Sequence, residues 1–257
     1  MNRIDLLLGT LDEAVRDKIF TGSTGVLFSG GVDSSVVAVL VARHSQPTLY
    51  TVGVEGAHDL TVAKSTAEGL NLDWVGVVVG EEEIRQAIKD MVPIFGNSPL
   101  TLSFEMPLYL VLGVAAEDLL LCGQGADELY AGYSRYRSMD EATMRSSMAH
   151  DVEALIAHGM GIEKRAAEAF GKTLVHPFLD PEVVRVSLDL PLEMMLRGDE
   201  NKAILRDVGR ALGLGPIADR KKKAAQYGSG IMNAMKTMAK RDGLTLSEMV
   251  DRLASEQ

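Results

Sequence analysis

Across residues 2–19 the apolar side chains Ile4, Leu7, Leu8, Leu11 and Val15 recur at the spacing of one helix face. The turn Thr21-Gly22-Ser23 closes that helix. The run that follows, Gly25-Val26-Leu27-Phe28, carries no polar alternation, which predicts a strand buried on both faces, as in a parallel sheet. A Ser/Gly-rich loop comes next, then a predicted helix over 36–42. The pattern repeats: strand 48–54, helix 59–69 with Asp59 as N-cap, strand 74–79, helix 81–91, helix 106–117 and strand 118–122. Strands alternating with helices predict right-handed crossovers and a parallel sheet, whose ligands gather beyond the C-terminal strand ends. The loops 29–35 and 123–128 both leave such ends. After Tyr136 only helical patterns are read, over 139–158, 162–171, 181–188 and 202–212. The expected organisation is an α/β core over 1–136 and a helical C-terminal lobe over 137–257, joined near 134–140.

Composition narrows the functional classes. A net charge of −10 argues against general affinity for a nucleic-acid backbone, which Lys and Arg would have to grip. A single cysteine, Cys122, excludes an internal disulfide and a multi-cysteine metal cluster, and fits a reducing compartment. At a strand end it reads as buried packing. His44, His58, His150, His158 and His176 show no metal-ligand spacing. No apolar run approaches the roughly 20 residues of a membrane span, and residues 1–10 do not read as a secretory signal. A cytoplasmic protein without membrane association is expected.

The loop Ser29-Gly30-Gly31-Val32-Asp33-Ser34-Ser35 sits between a strand and a helix. Adjacent glycines let the backbone approach an anion, and the hydroxyls and first free helix N–H groups can donate to phosphate. The Walker pattern is absent, and an Asp stands inside the loop. A carboxylate beside phosphate requires a bridging cation, so Asp33 is read as a Mg²⁺ ligand. The bland alternative is a Gly-Gly turn capped by Asp and Ser. The second loop, 122–133, reads Cys-Gly-Gln-Gly-Ala-Asp-Glu-Leu-Tyr-Ala-Gly-Tyr. If it faces the first, Asp127 supplies a second carboxylate for the same ion. Otherwise Asp127 and Glu128 merely open a helix.

The Ser-Gly-Gly-Val-Asp-Ser-Ser loop resembles that of the PP-loop ATP pyrophosphatases, and the second loop resembles a block of the asparagine synthetase C-terminal domain. Three later segments are similar to further blocks of that domain in the same order: 175–180 (VHPFLD), 202–206 (KAILR), and Arg220-Lys221-Lys222-Lys223 with Gln226-Tyr227-Gly228. The resemblance implies an adenine-nucleotide-hydrolase-like three-layer fold. It implies Mg-ATP as cofactor and AMP-forming amide ligation of a small-molecule carboxylate such as aspartate. By position, Leu27, Val52, Cys122 and Gly123 would line adenine and ribose. Ser29, Gly30, Gly31, Ser34 and Ser35 would hold phosphate, Asp33 and Asp127 Mg²⁺. Lys222 or Lys223 would neutralise the departing phosphates, with Gln124 beside the reacting centre. Read from composition alone, the four basic residues 220–223 are a solvated face.

Three departures bear on the substrate. No N-terminal cysteine follows Met1 and only about 20 residues precede the first strand. The glutaminase domain of the family is therefore expected to be absent, and ammonia to come from solution or a separate glutaminase subunit. Gln124 replaces a glutamate, and Gln cannot act as a base. Ser103, within Thr101-Leu102-Ser103-Phe104-Glu105-Met106-Pro107-Leu108-Tyr109, replaces an arginine. Losing a bidentate carboxylate clamp is not conservative, and Glu105 nearby would favour a cationic or amine-bearing substrate. The competing readings are a tRNA- or base-modifying PP-loop enzyme, and an ATP-binding subunit without chemistry. A homodimer stays open.

Overall fold

In the computed structural model, residues 2–20, 22–220 and 228–256 are described. Five parallel strands form the main sheet in the order β3-β2-β1-β4-β5: β1 (Ser23–Leu27), β2 (Gln46–Gly53), β3 (Asp73–Val78), β4 (Leu119–Leu121) and β5 (Thr173–Val175). The order reverses at β1. The chain moves outward from β1 through β2 to β3, then returns to the other side of β1 with β4. Loops at such a switch point leave a crevice at the C-terminal strand ends.

Helices cover both faces, giving the three-layer, adenine-nucleotide-hydrolase-like arrangement. One core packs α1 (Arg3–Arg16), α2 (Val32–Ala42) and α3 (His58–Leu70) on the sheet through Leu7, Leu11, Val36, Leu40 and Ala63. The other packs α4 (Glu81–Phe95) and α5 (Pro99–Val114) through Ile84, Ile88, Leu102 and Met106. Along β4 the parity is plain: Leu119 and Leu121 enter the first core, Leu120 and Cys122 the second. This two-sided burial explains why the central strands β1 and β4 read as unbroken apolar runs.

The second half is mainly helical: α6 (Ala126–Leu129), α7 (Glu141–Ala154), α8 (Met160–Ala169), α9 (Pro181–Leu188), α10 (Ala203–Ala211), α11 (Gly215–Ala218), α12 (Ile231–Arg241) and α13 (Leu246–Ser255). A π-helical turn, Leu155–Gly159, joins α7 to α8. The sequence expectation of no strand after Tyr136 is corrected, because β5 extends the sheet beside β4 and a two-residue hairpin, β6 (Leu196–Arg197) with β7 (Glu200–Asn201), precedes α10. Strands so short carry no legible period.

Three helix starts also move. Gly31, with extended backbone, is the N-cap of α2, so Asp33, Ser34 and Ser35 lie in its first turn rather than in a loop ending at 35. Ala57, not Asp59, caps α3, and Asp59 sits in the first turn where its charge suits the helix dipole. Ser98 caps α5, accepting from Thr101 N at 3.4 Å with Pro99 in the first turn, well before the expected start at 106. Among the described residues no helix is long and apolar enough to cross a membrane.

Candidate active site

Strand β1 runs into a loop wound on itself. Ser29 N donates to Ser34 Oγ at 3.2 Å, Ser34 Oγ to the Gly31 carbonyl at 3.3 Å, and Gly31 N to Ser29 Oγ at 3.4 Å. Gly30 takes φ 72°, a left-handed conformation suited to glycine, and a Cβ there would press on the Ala63 backbone at 3.0 Å. No side chain caps α2, so its first-turn N–H groups face the end of the strand. The second loop, leaving β4, abuts the first: a Cβ on Gly123 would lie 3.1 Å from Ser34 N and 3.2 Å from Asp33 Cβ. The sequence expectation that the two loops face each other is met.

What joins them is a residue to which the sequence reading gave no role. Lys202 ends the 196–201 hairpin and caps α10 in a left-handed conformation, φ 57° and ψ 35°, which lysine rarely adopts and which a functional constraint can hold. Its side chain is 2% exposed. Its Nζ donates to Asp33 Oδ2 at 2.8 Å and lies 2.7 Å from Asp127 Oδ1. The backbone is shaped to admit it: any Cβ on Gly132 would collide with the Asp127 carboxylate and the Lys202 stem, and Asn201 Nδ2 holds the Gly132 carbonyl at 3.0 Å. The one sequence signal was that Lys202 opened a recognised block.

Asp33 and Asp127 converge on one point, with the Lys202 ammonium between them. That oxygen donor set fits Mg²⁺, which takes a few carboxylates together with phosphate oxygens. Beside it, Glu128 accepts from Tyr133 Oη at 2.5 Å, and burial raises its carboxyl above the ordinary range.

The remaining expected residues distribute as follows. Leu27 and Val52 turn to the α4/α5 face, as does buried Cys122. Ser35 is buried in the first turn of α2 and Gln124 is half-buried next to Gly123. Ser103 is buried on α5, its hydroxyl donating to the Leu100 carbonyl at 2.9 Å. Lys222 and Lys223 lie outside the described residues. On one side of that stretch Arg220 Nη1 donates to the Gly30 carbonyl of the phosphate loop at 3.5 Å, and on the other the Ser229 carbonyl accepts from Val54 N, just past β2, at 2.9 Å.

On the α5 face a second polar group lies beneath the loops. Glu163 of α8 and His176, just past β5, share a hydrogen bond of 2.6 Å to His176 Nε2, with both side chains 1% exposed. Burial works against a charged imidazole, but Cys122 and Glu163 outweigh it and push His176 up to about 10. Burial, then the neighbouring Glu163, pushes Glu105 up to about 8. His176 shows no metal-ligand spacing in the sequence because its neighbours Cys122 and Glu163 come from a distant strand end and helix.

Glu105 gives a signed pH expectation. Folding pushes its carboxyl from the ordinary value of 4.5 up to about 8, chiefly through burial. From pH 4.5 to 8 the unfolded chain therefore binds fewer protons, and stability falls as pH rises. In EDTA, Glu105→Gln should gain stability relative to wild type across that window and hold the gain above it. Thermal midpoints at pH 5 and 9 check this, and an equal offset at both ends would exclude it.

The Asparagine synthase family profile matches residues 6–156 and 138–255. The chain belongs to the asparagine synthase family. A Methanocaldococcus jannaschii protein named "Putative asparagine synthetase [glutamine-hydrolyzing] 1" is 31% identical over 95% of this chain and 54% of its own length. The asparagine synthetase [glutamine-hydrolyzing] of Triphysaria versicolor is 28% identical over 77% of this chain and 37% of its own. The chain thus spans about half or less of the length of these curated relatives. The solved structure of NMN synthetase from Francisella tularensis is similar at a TM-score of 0.48 and 16% identity, over 99% of this chain and 86% of that one. Membership in the asparagine synthase family accounts for the two loops and the later blocks together.

Proposed function

We propose that the chain is an ATP-dependent, AMP-forming amide ligase that adenylates a small-molecule carboxylate. The observation that carries this is the Asp33–Lys202–Asp127 bridge at the β1/β4 switch point, beside the uncapped start of α2. In the first step a carboxylate oxygen attacks the α-phosphorus, the bond to the bridging oxygen breaks, and pyrophosphate leaves with its electron pair. In the second, an amine or ammonia attacks the acyl carbon, AMP departs, and the nitrogen loses a proton.

The N–H groups at the start of α2 and the Ser29 and Ser34 hydroxyls bind phosphate. Lys202 fixes Asp33 and Asp127 in one geometry and offsets their mutual repulsion. Mg²⁺ held by those carboxylates would supply charge neutralisation for the departing phosphates. Lys222 or Lys223 would add positive charge there. Leu27, Val52, Cys122 and Gly123 border adenine and ribose, and Gln124 and Glu105 face the acceptor side. Aspartate is the first candidate acid, with ammonia from solution or from a separate glutaminase subunit.

The test is exchange of labelled pyrophosphate into ATP with Mg²⁺ across a panel of amino acids and other carboxylates. Exchange dependent on one acid supports the reading and names the substrate. ATP binding with no exchange for any acid would sink it in favour of a non-catalytic ATP-binding subunit.

A further inference from the structure

The register of the sheet brings together three ligand-type side chains that the sequence keeps far apart. Strands β4 and β5 pair in parallel with Leu121 opposite Val175, and Cys122 N donates to the Val175 carbonyl at 3.1 Å. One residue further on, Cys122 and His176 stand side by side. Helix α8 packs on the same face through Ala166 and Ala167 and delivers Glu163 from its first turn. The result is a thiol, an imidazole and a carboxylate whose ligating atoms all lie within 4.8 Å of one another, every residue buried.

Two atoms of this group are buried without a hydrogen-bond partner among the described residues, His176 Nδ1 and Glu163 Oε1. Orphaned polar atoms in a closed site cost free energy unless something satisfies them. A divalent cation would do so.

We propose that Cys122, Glu163 and His176 form a binding site for a transition metal of the Zn²⁺ class, separate from the Mg²⁺ carboxylates Asp33 and Asp127. Thiolate and imidazole select such a metal over Mg²⁺, which prefers oxygen. A tetrahedral centre with bonds of about 2.0–2.3 Å needs donors about 3.3–3.8 Å apart. Donor atoms up to 4.8 Å apart close by about 1.0–1.5 Å, which rotamer shifts supply. A thiolate and one carboxylate balance the two positive charges. The site lies under Gly123, where it would fix the second loop against the first.

The experiment is titration of the folded, reduced, chelator-treated chain with Co²⁺, followed by Zn²⁺ competition, with optical spectra and metal analysis. Expected is about one Co²⁺ per chain showing a thiolate-to-cobalt charge-transfer band and tetrahedral ligand-field bands, displaced by Zn²⁺. Cys122→Ser should lose the band, His176→Gln should weaken Co²⁺ binding at least about 10-fold, and Asp33→Asn should keep both. No thiolate band in the wild-type chain overturns the proposal. So does a band that survives His176→Gln with unchanged affinity, or binding that disappears with Asp33→Asn alone. Should Cys122→Ser fail to fold, the wild-type spectrum and His176→Gln decide. None of these readouts depends on adenylation, so the site stands or falls apart from the proposed activity.

Discussion

Lys202→Met should abolish pyrophosphate exchange and destabilise the chain by about 3–5 kcal/mol, the scale for removing one partner of a buried ion pair. The Lys202 side chain is 2% exposed, and Asp33 and Asp127 are 16% and 24% exposed. Without Lys202, two converging carboxylates lose the buried ammonium they share. Lys202→Arg should not rescue, because a planar fork cannot replace a point charge held under 3 Å from both oxygens. Combining Lys202→Met with Asp33→Asn should recover part of the stability and none of the exchange, since the variants share one interaction. Urea midpoints and exchange rates measure the two effects separately. A Lys202→Met chain as stable as wild type would show that the bridge contributes nothing to the fold.

Asp127→Asn separates chemistry from stability. The amide keeps the size of the carboxylate and leaves Asp33 to pair with Lys202, so the fold should hold within about 1 kcal/mol, as for most substitutions that create neither a cavity nor a buried charge. The site loses half the anionic donor set proposed for Mg²⁺. Exchange should fall by about 10²–10³, the range seen when a group stabilising transition-state charge is removed. Nucleotide binding measured without Mg²⁺ should change little. Exchange within about threefold of wild type would remove Asp127 from the proposed chemistry, given that a tenfold change already marks about 1.4 kcal/mol.

The sequence made the sheet legible from Gly25 to Cys122 because its strands read as apolar runs between turns and alternated with helical periods. Asp33 and Asp127 were legible because each lies in an unusual Gly-rich loop leaving a strand. Lys202 was not, although its block was recognised. Its role depends on a left-handed backbone and on Gly132 yielding space, neither of which has a local signature. Cys122, Glu163 and His176 were unreadable as a group, since only the pairing of β4 with β5 and the packing of α8 bring them together. The start of α2 was misplaced because Asp, Ser and Ser suggest a loop, yet they are also the residues that suit a helix's first turn.

The placement of β5 has a consequence for synthesis. Until residues 173–175 leave the ribosome, the outer edge of β4 has no partner, although β1 to β4 were made some fifty residues earlier. An unpaired apolar edge is a template for wrong pairing between nascent chains. Truncation before Thr173 therefore yields a fragment prone to aggregate rather than a smaller working domain, and a chaperone acting on this chain would find its binding window in that interval.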